Sequence, residues 1–414
     1  MGNMTDRIDS VSTKSLLRQA FDVCADQTRE LVSRLEPLPE AVYFLELMRA
    51  HYDAEISPAP KVIVFGTDFP TELVHSLTGE APWRVTGGSR ILQEYSDDSV
   101  PRDTDPVTRA ALGELFAHED WRETALVIVP CSSDAQRKAA FLLQSRGWRV
   151  VTIWIPAVKD AGSYQGFLSE LDHAVRVICR HVGKRYSVFA LNRSARYFNE
   201  LRGCIARFQA AACEHEAAMP GVLRLAVLDR FFLARDLDQW KERLCALTEA
   251  LKTAPCPQID SPRAPVIGSP IRFPNYKLPG LLLDAGISLC GWVDEATGLF
   301  ADEFGDEQKG LEALAHYYFE HDSSGAFVRN DSLMCAIREQ VDRCRPDGII
   351  WHVLKRQIEY DFELNRCEAY FEEKDLPVIR LETDYQYQDI EQLRIRIEAF
   401  GELMSQKRKE RSHE

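Results

Sequence analysis

The run from Asp347 to Phe400 constrains the fold of this chain most. Pro346-Asp347-Gly348 signals a turn, and the short apolar stretch Gly348-Ile-Ile-Trp-His352 behind it reads as a buried strand. Residues 356–374 are polar and helix-compatible, and Pro377-Val-Ile-Arg-Leu381 is a second apolar strand. Ile390, Leu393, Ile397 and Phe400 then recur on one face of a helix. Strand, helix, strand, helix at this spacing requires a parallel strand pair joined by a crossover.

The same grammar recurs upstream. Lys61-Val-Ile-Val-Phe65, Ala125-Leu-Val-Ile-Val-Pro130 and Trp148-Arg-Val-Val-Thr-Ile-Trp-Ile155 are strands, and Glu80–Thr86 is a fourth. Pro265-Val-Ile-Gly268 and Gly286–Val293 open a second set. Between the sets, Val188, Leu191, Ala195, Phe198, Leu201, Ile205 and Phe208 form one long helical stripe. The expected architecture is α/β, with two doubly wound parallel-sheet domains, an intervening helical segment and an N-terminal helical extension. The boundaries fall at 1–58 for the extension, 59–185 for the first α/β domain, 186–262 for the helical layer and 263–414 for the second. Pro58-Ala-Pro60 and Ile259–Pro265 punctuate the joins.

A formal net charge of −14 without an internal basic block argues against nucleic-acid binding, which needs a cationic surface to displace counterions. The Lys407–Arg411 tail reads as a solvated helix end. No stretch approaches the ~20 apolar residues of a membrane helix, and the first fifteen residues lack a signal-peptide core. Met1-Gly2-Asn3 is only a loose match to a myristoylation start. The expectation is a cytoplasmic protein. The 11 cysteines contain no Cys-x-x-Cys pair, so neither a zinc ribbon nor a redox dithiol is signalled. Cys344 continues the stripe Met334, Ile337, Val341 and reads as core.

The C-terminal run resembles the signature of the 2-hydroxyacyl-CoA dehydratase and benzoyl-CoA reductase family, and the chain looks like a divergent 2-hydroxyglutaryl-CoA dehydratase D-component. The matching pieces are Gly348-Ile-Ile, Leu354-Lys355, Leu381-Glu-Thr-Asp384, Gln392-Leu-Arg394 and Arg396–Phe400. Phe69-Pro-Thr-Glu-Leu73 and the Asp134, Gln136, Lys138 set extend the likeness upstream. The resemblance implies a heterodimer with a related cysteine-bearing subunit and an ATP-dependent activator that supplies a low-potential electron. It also implies an acyl-CoA substrate and a [4Fe-4S] cluster held by three cysteines. Here those three positions hold Asp105, Ser133 and Gln357, and a further family cysteine is replaced by Ala296.

An iron–sulfur cluster takes about three or four thiolate donors. Asp105 also precedes Pro106, the pattern of a helix N-cap with proline in the first turn. Cys131 stands two residues before Ser133, near a helix start where a thiol pKa is lowered, and is the expected reactive cysteine. Cys367 lies ten residues beyond Gln357, about 15 Å along a helix, too far to substitute without rearrangement.

Thr67 ends the first strand, where α/β folds bind ligands and where some family members place an active-site hydroxyl. Thr67 or Asp68 is equally a candidate cap for the next helix. Asp134 and Lys355 are the accompanying candidate acyl-CoA contacts, and His352 is the candidate acid/base or a structural histidine. His75 is a further polar residue near a helix's first turns. Two function classes follow. One is a dehydratase or reductase subunit that contacts acyl-CoA while a partner carries the cluster. The other is a non-catalytic scaffold that keeps the fold.

Overall fold

The computed structural model describes residues 13–53, 59–257, 260–300 and 310–411. Met1-Gly2-Asn3, Pro58 and Ile259 lie outside them. Helices α1 (Thr13–Leu35) and α2 (Pro39–His51) lead the chain. The first lobe runs β1 (Val62–Phe65), α3 (Thr71–Thr78), β2 (Trp83–Val85), α4 (Arg90–Ser96), α5 (Pro106–Ala117), β3 (Leu126–Cys131), α6 (Asp134–Ser145) and β4 (Arg149–Trp154). The helical layer is α7 (Ala161–Val182), α8 (Val188–Glu214), α9 (Gly221–Asp229) and α10 (Leu237–Thr253). The second lobe begins with β5 (Arg263–Gly268), α11 (Lys277–Asp284), β6 (Ser288–Val293) and α12 (Gly310–His321). It ends with α13 (Asp331–Cys344), β7 (Ile349–Leu354), α14 (Glu359–Glu373), β8 (Val378–Thr383) and α15 (Ile390–Arg411).

Each lobe has a four-stranded parallel sheet, ordered β2-β1-β3-β4 in the first and β6-β5-β7-β8 in the second. The chain therefore traces one path twice. Strands β1, β3 and β7 are buried along their whole length, which is why their sequences are continuous apolar runs rather than alternating ones. In both sheets the order reverses between the first and third strands. The carboxyl ends of β1 and β5 thus sit at the switch points where open α/β sheets receive ligands.

The two sets of carboxyl ends meet. Gly88, just after β2, packs so closely on the backbone after β5 that a Cβ there would lie 2.6 Å from the Arg272 carbonyl oxygen. Its N–H donates to the Tyr385 hydroxyl, just after β8, at 3.1 Å. Gln93 reaches Asp384 at 3.2 Å, and Arg356, after β7, pairs with Asp103. The seam between the lobes is therefore built from loops at the ligand-binding edge of both sheets.

Three local expectations shift. The helix read from residue 356 starts at Glu359, because Arg356 takes φ +76° and Gln357 N–H closes a turn on the Leu354 carbonyl at 3.0 Å. Helix α3 has Pro70 at its N-cap without a side-chain bond, so neither Thr67 nor Asp68 caps it. The strand read as ending at His352 runs two residues further, to Leu354, so His352 lies well inside β7.

Helix α9 lies against β6 with almost no clearance. A Cβ on Gly221 would meet the Leu289 carbonyl oxygen at 1.6 Å. Gly221→Ala is expected to cost ~1–3 kcal/mol, as overpacking of a closed contact does. A lower urea midpoint with an unchanged slope would show it.

Candidate functional site

The residues after β1 and β6 converge at the seam. Thr67, 1 % exposed, places its hydroxyl 3.1 Å from Asp68 Oδ1 and 3.4 Å from Glu295 Oε1, a residue 228 positions away. Asp322 joins Asp68 and Glu295 around a cavity of ≈ 10 Å³, room for about one water. Ile155, Phe167, Phe319 and Phe327 supply its apolar wall.

Two buried arginines hold this cluster. Arg272 reaches Asp229 Oδ1 at 3.5 Å, Asp294 Oδ2 at 3.3 Å and Glu295 Oε1 at 3.3 Å. Arg84 spends its donors on the Gly66 and Phe69 carbonyls and the Thr71 hydroxyl, at 2.9, 2.7 and 2.6 Å, and so fixes the turn that carries Thr67. Both guanidinium groups lie over the Phe232 ring, at 5.7 Å for Arg84 and 5.4 Å for Arg272. Lys159 donates to the Asp322 carbonyl at 2.5 Å and to Ser332 Oγ at 2.8 Å.

Among the described residues, Asp68, Asp229, Asp294, Glu295 and Asp322 face Arg84, Arg230, Arg272 and Lys159, so full ionisation of the five would exceed the positive charge of these four. Burial, then the charge of Asp322, pushes the Asp68 carboxyl up to about 7. Burial, then Asp68, pushes Glu295 up to about 8. Burial pushes Asp322 up to about 6, against the Ser324 N–H and Lys159. The set releases its protons in shared steps around neutrality. With the Thr67 hydroxyl among them, these groups can donate and accept a proton at one small polar spot.

The candidates named from the sequence scatter differently. His352 is 1 % exposed, with Nδ1 2.8 Å from the Ser269 carbonyl and Nε2 2.8 Å from Thr383 Oγ1. Burial lowers its pKa to about 4, so the ring is neutral and ties β7 to β5 and β8. Asp134 points into solvent beside Arg137. Lys355 is half-exposed, 3.4 Å from Asp384. Cys131 ends β3 fully buried, and burial pushes its thiol up to about 11. This reverses the expected activation, because the residue faces the core rather than the helix start.

Asp105, Ser133 and Gln357, the three places where the resemblance expects cysteines, also have defined surroundings. Asp105 Oδ1 accepts the Thr108 N–H at 2.9 Å and caps α5, with Pro106 in the first turn. Ser133 forms a reciprocal capping box with Gln136, at 3.3 Å and 3.0 Å. The Gln357 Oε1 atom is buried and has no hydrogen-bond partner among the described residues. The Arg356–Asp103 pair brings the loops of Asp105 and Gln357 together. These donors are a carboxylate, a hydroxyl and an amide, all hard oxygens. They do not fit a cluster that is held by soft thiolates. Among the described residues, no three His, Cys, Asp or Glu side chains are placed to hold a metal ion.

The family model for 2-hydroxyglutaryl-CoA dehydratase, D-component, matches residues 67–404. The chain belongs to that family. It is also 23 % identical over 364 residues to a protein of Escherichia coli (strain K12) named "Putative dehydratase subunit YjiM", covering 83 % of this chain and 91 % of that protein. As a D-component family member, the chain places its seam cluster at the C-terminal edges of both sheets. Sequence reasoning found Thr67 there and missed Asp68, Glu295, Asp322 and Arg272. Their partners lie too far along the chain for any local pattern to join them.

The raised carboxyls set a pH dependence. A carboxyl whose folded pKa exceeds its unfolded value, ~4, keeps its proton longer in the folded state, so stability falls as pH rises toward the folded pKa. The lowered histidines, His352 among them, act oppositely but are neutral in both states above about pH 7. Melting temperature is therefore expected to fall between pH 7 and 8.5 in differential scanning calorimetry. Glu295→Gln, which keeps the shape of the protonated form, should flatten that slope. An unchanged slope would rule out this cluster as its origin.

Proposed function

We propose that the chain is a subunit of a 2-hydroxyacyl-CoA dehydratase-like complex that binds an acyl-CoA at the seam near Thr67 and works without a normal [4Fe-4S] cluster of its own. The observation that carries this reading is the fate of the three ligand positions. Asp105 and Ser133 serve as helix caps, and Gln357 offers only an amide. A related subunit with all three cysteines would hold the cluster, and an ATP-dependent activator would deliver the electron. Thr67 supplies a hydroxyl at the switch point, and Lys355 and Asp134 are the exposed contacts for the rest of the ligand. His352 serves as a positioning residue that holds the β5 and β8 ends through Ser269 and Thr383.

One observation favours the second reading, a binding or scaffold subunit without catalysis. The cavity lined by Asp68, Glu295 and Asp322 admits about one water, so any acyl group there must open the seam.

Two measurements separate these possibilities. Anaerobically purified protein should contain less than one iron per chain. About four irons with matching acid-labile sulfide would overturn the proposal. Isothermal titration with an acyl-CoA should show saturable binding, weakened ~5-fold by Thr67→Val, the effect of losing one neutral hydrogen bond. Binding that ignores Thr67→Val would move the ligand elsewhere, and absence of binding would leave the scaffold reading.

A further inference from the structure

A cleft of ≈ 730 Å³ opens between the end of α3, the first turns of α8 and the start of α10. It lies at the opposite edge of the first sheet from Thr67. Helix α3 runs back from the carboxyl end of β1 over eight residues, about 12 Å. The Lys61–Glu80 pair, 2.7 Å, marks the amino ends of β1 and β2 beside the cleft. Nothing in the seam cluster reaches this edge.

The lining carries both signs of charge, but the acids are already engaged. Glu80 is paired with Lys61. Asp236 caps α10 through the Gln239 N–H at 2.9 Å. Asp238 takes the Tyr197 phenol, whose pKa is raised by burial and then by this bond. The cations are not engaged in the same way. Arg193 and Arg235 have no carboxylate within ion-pair distance among the described residues, and Arg235 rests over the Trp83 ring at 5.4 Å. Among the described residues, Lys184 donates to the Thr78 carbonyl, at 3.2 Å, and to no carboxylate.

His75 adds a directional group. Ser194 Oγ donates to the Glu72 carbonyl at 2.9 Å, so it must accept from His75 Nδ1–H, also 2.9 Å away. The Nε2 atom of His75 therefore carries the lone pair in the neutral ring, and a proton added there becomes a new donor. In a chain of net charge −14, the lining balances Lys184, Arg193 and Arg235 against Glu80, Asp236 and Asp238, and the two guanidinium groups have no ion-pair partner among the described residues.

We propose that this cleft binds a phosphate-bearing small molecule through Arg193, Arg235, Lys184 and His75, at a site separate from the inter-lobe seam. Guanidinium forks match phosphate oxygens in pairs, and the volume falls within the ordinary range of small-molecule sites. Both a free phosphate ester and a nucleotide offer this chemistry. Tyr197 is already stacked on His75 at 5.5 Å, with Lys241 Nζ 5.4 Å from its ring centroid, so the recognition common to both ligands is that of phosphate.

The test is isothermal titration of the full chain with inorganic diphosphate at low ionic strength. One saturable site is expected, weakened ~10-fold or more in the Arg193→Glu/Arg235→Glu double variant. It should be unchanged in Arg338→Glu, a charge reversal on α13. Loss of affinity in Arg338→Glu equal to that in the double variant, or no saturable binding, would overturn the proposal. ADP binding no tighter than diphosphate assigns a free phosphate ester. Tighter ADP binding that the double variant abolishes assigns a nucleotide, and both results support the site.

A second readout needs no variant. In the free protein, burial and Arg193 lower the His75 pKa, against Asp238 and Glu72. Diphosphate should move that pKa upward in an NMR titration, and an unmoved pKa would place the anion elsewhere.

Discussion

The Arg272 guanidinium is the interaction on which the rest of the molecule depends. It is 3 % exposed and touches carboxylates from the helical layer, Asp229, and from the second lobe, Asp294 and Glu295. Through Glu295 it reaches Thr67 of the first lobe. Phe232 lies beneath both Arg272 and Arg84, so one ring from the helical layer serves a cation from each lobe. A buried charge of this kind is tolerated only while its partners stay in place. Removing one side of such an arrangement typically costs ~3–5 kcal/mol, because the remaining charge is stranded. Buried charge therefore helps to register the lobes at the seam, beside apolar contacts such as Ala110 with Leu354 and Tyr385, while each sheet is held by apolar packing.

That division explains what could be read in the sequence. The strands were legible because parallel strands buried on both faces must be continuous apolar runs, as in Val62–Phe65 and Leu126–Cys131. The α5 cap was legible because Asp105-Pro106 encodes it within two residues. The similar openings at Val62 and Val266 hinted at the repeated sheet order that the two lobes share. The seam was illegible for the converse reason. Thr67 and Glu295 are 228 positions apart, Gly88 and Tyr385 297.

Two strands run further than their sequences suggest: β3 takes in Cys131, which the sequence sets near a helix start, and β7 continues two residues past His352. A boundary error of one or two residues is ordinary at an element's end. Here it turned two candidate reactive groups into buried ones. Cys131 became an inert thiol and His352 a neutral brace between strands.

The caps at Asp105 and Ser133 have a consequence for how this lineage can change. Each side chain satisfies a backbone N–H at the start of a helix, a contribution of about 1 kcal/mol. A change to cysteine at either place would forfeit that contribution at once, while a cluster needs all its thiolates before it returns anything. On the cluster-free reading proposed above, single steps toward an iron site are therefore uphill with no reward, and the two caps act as a ratchet against it.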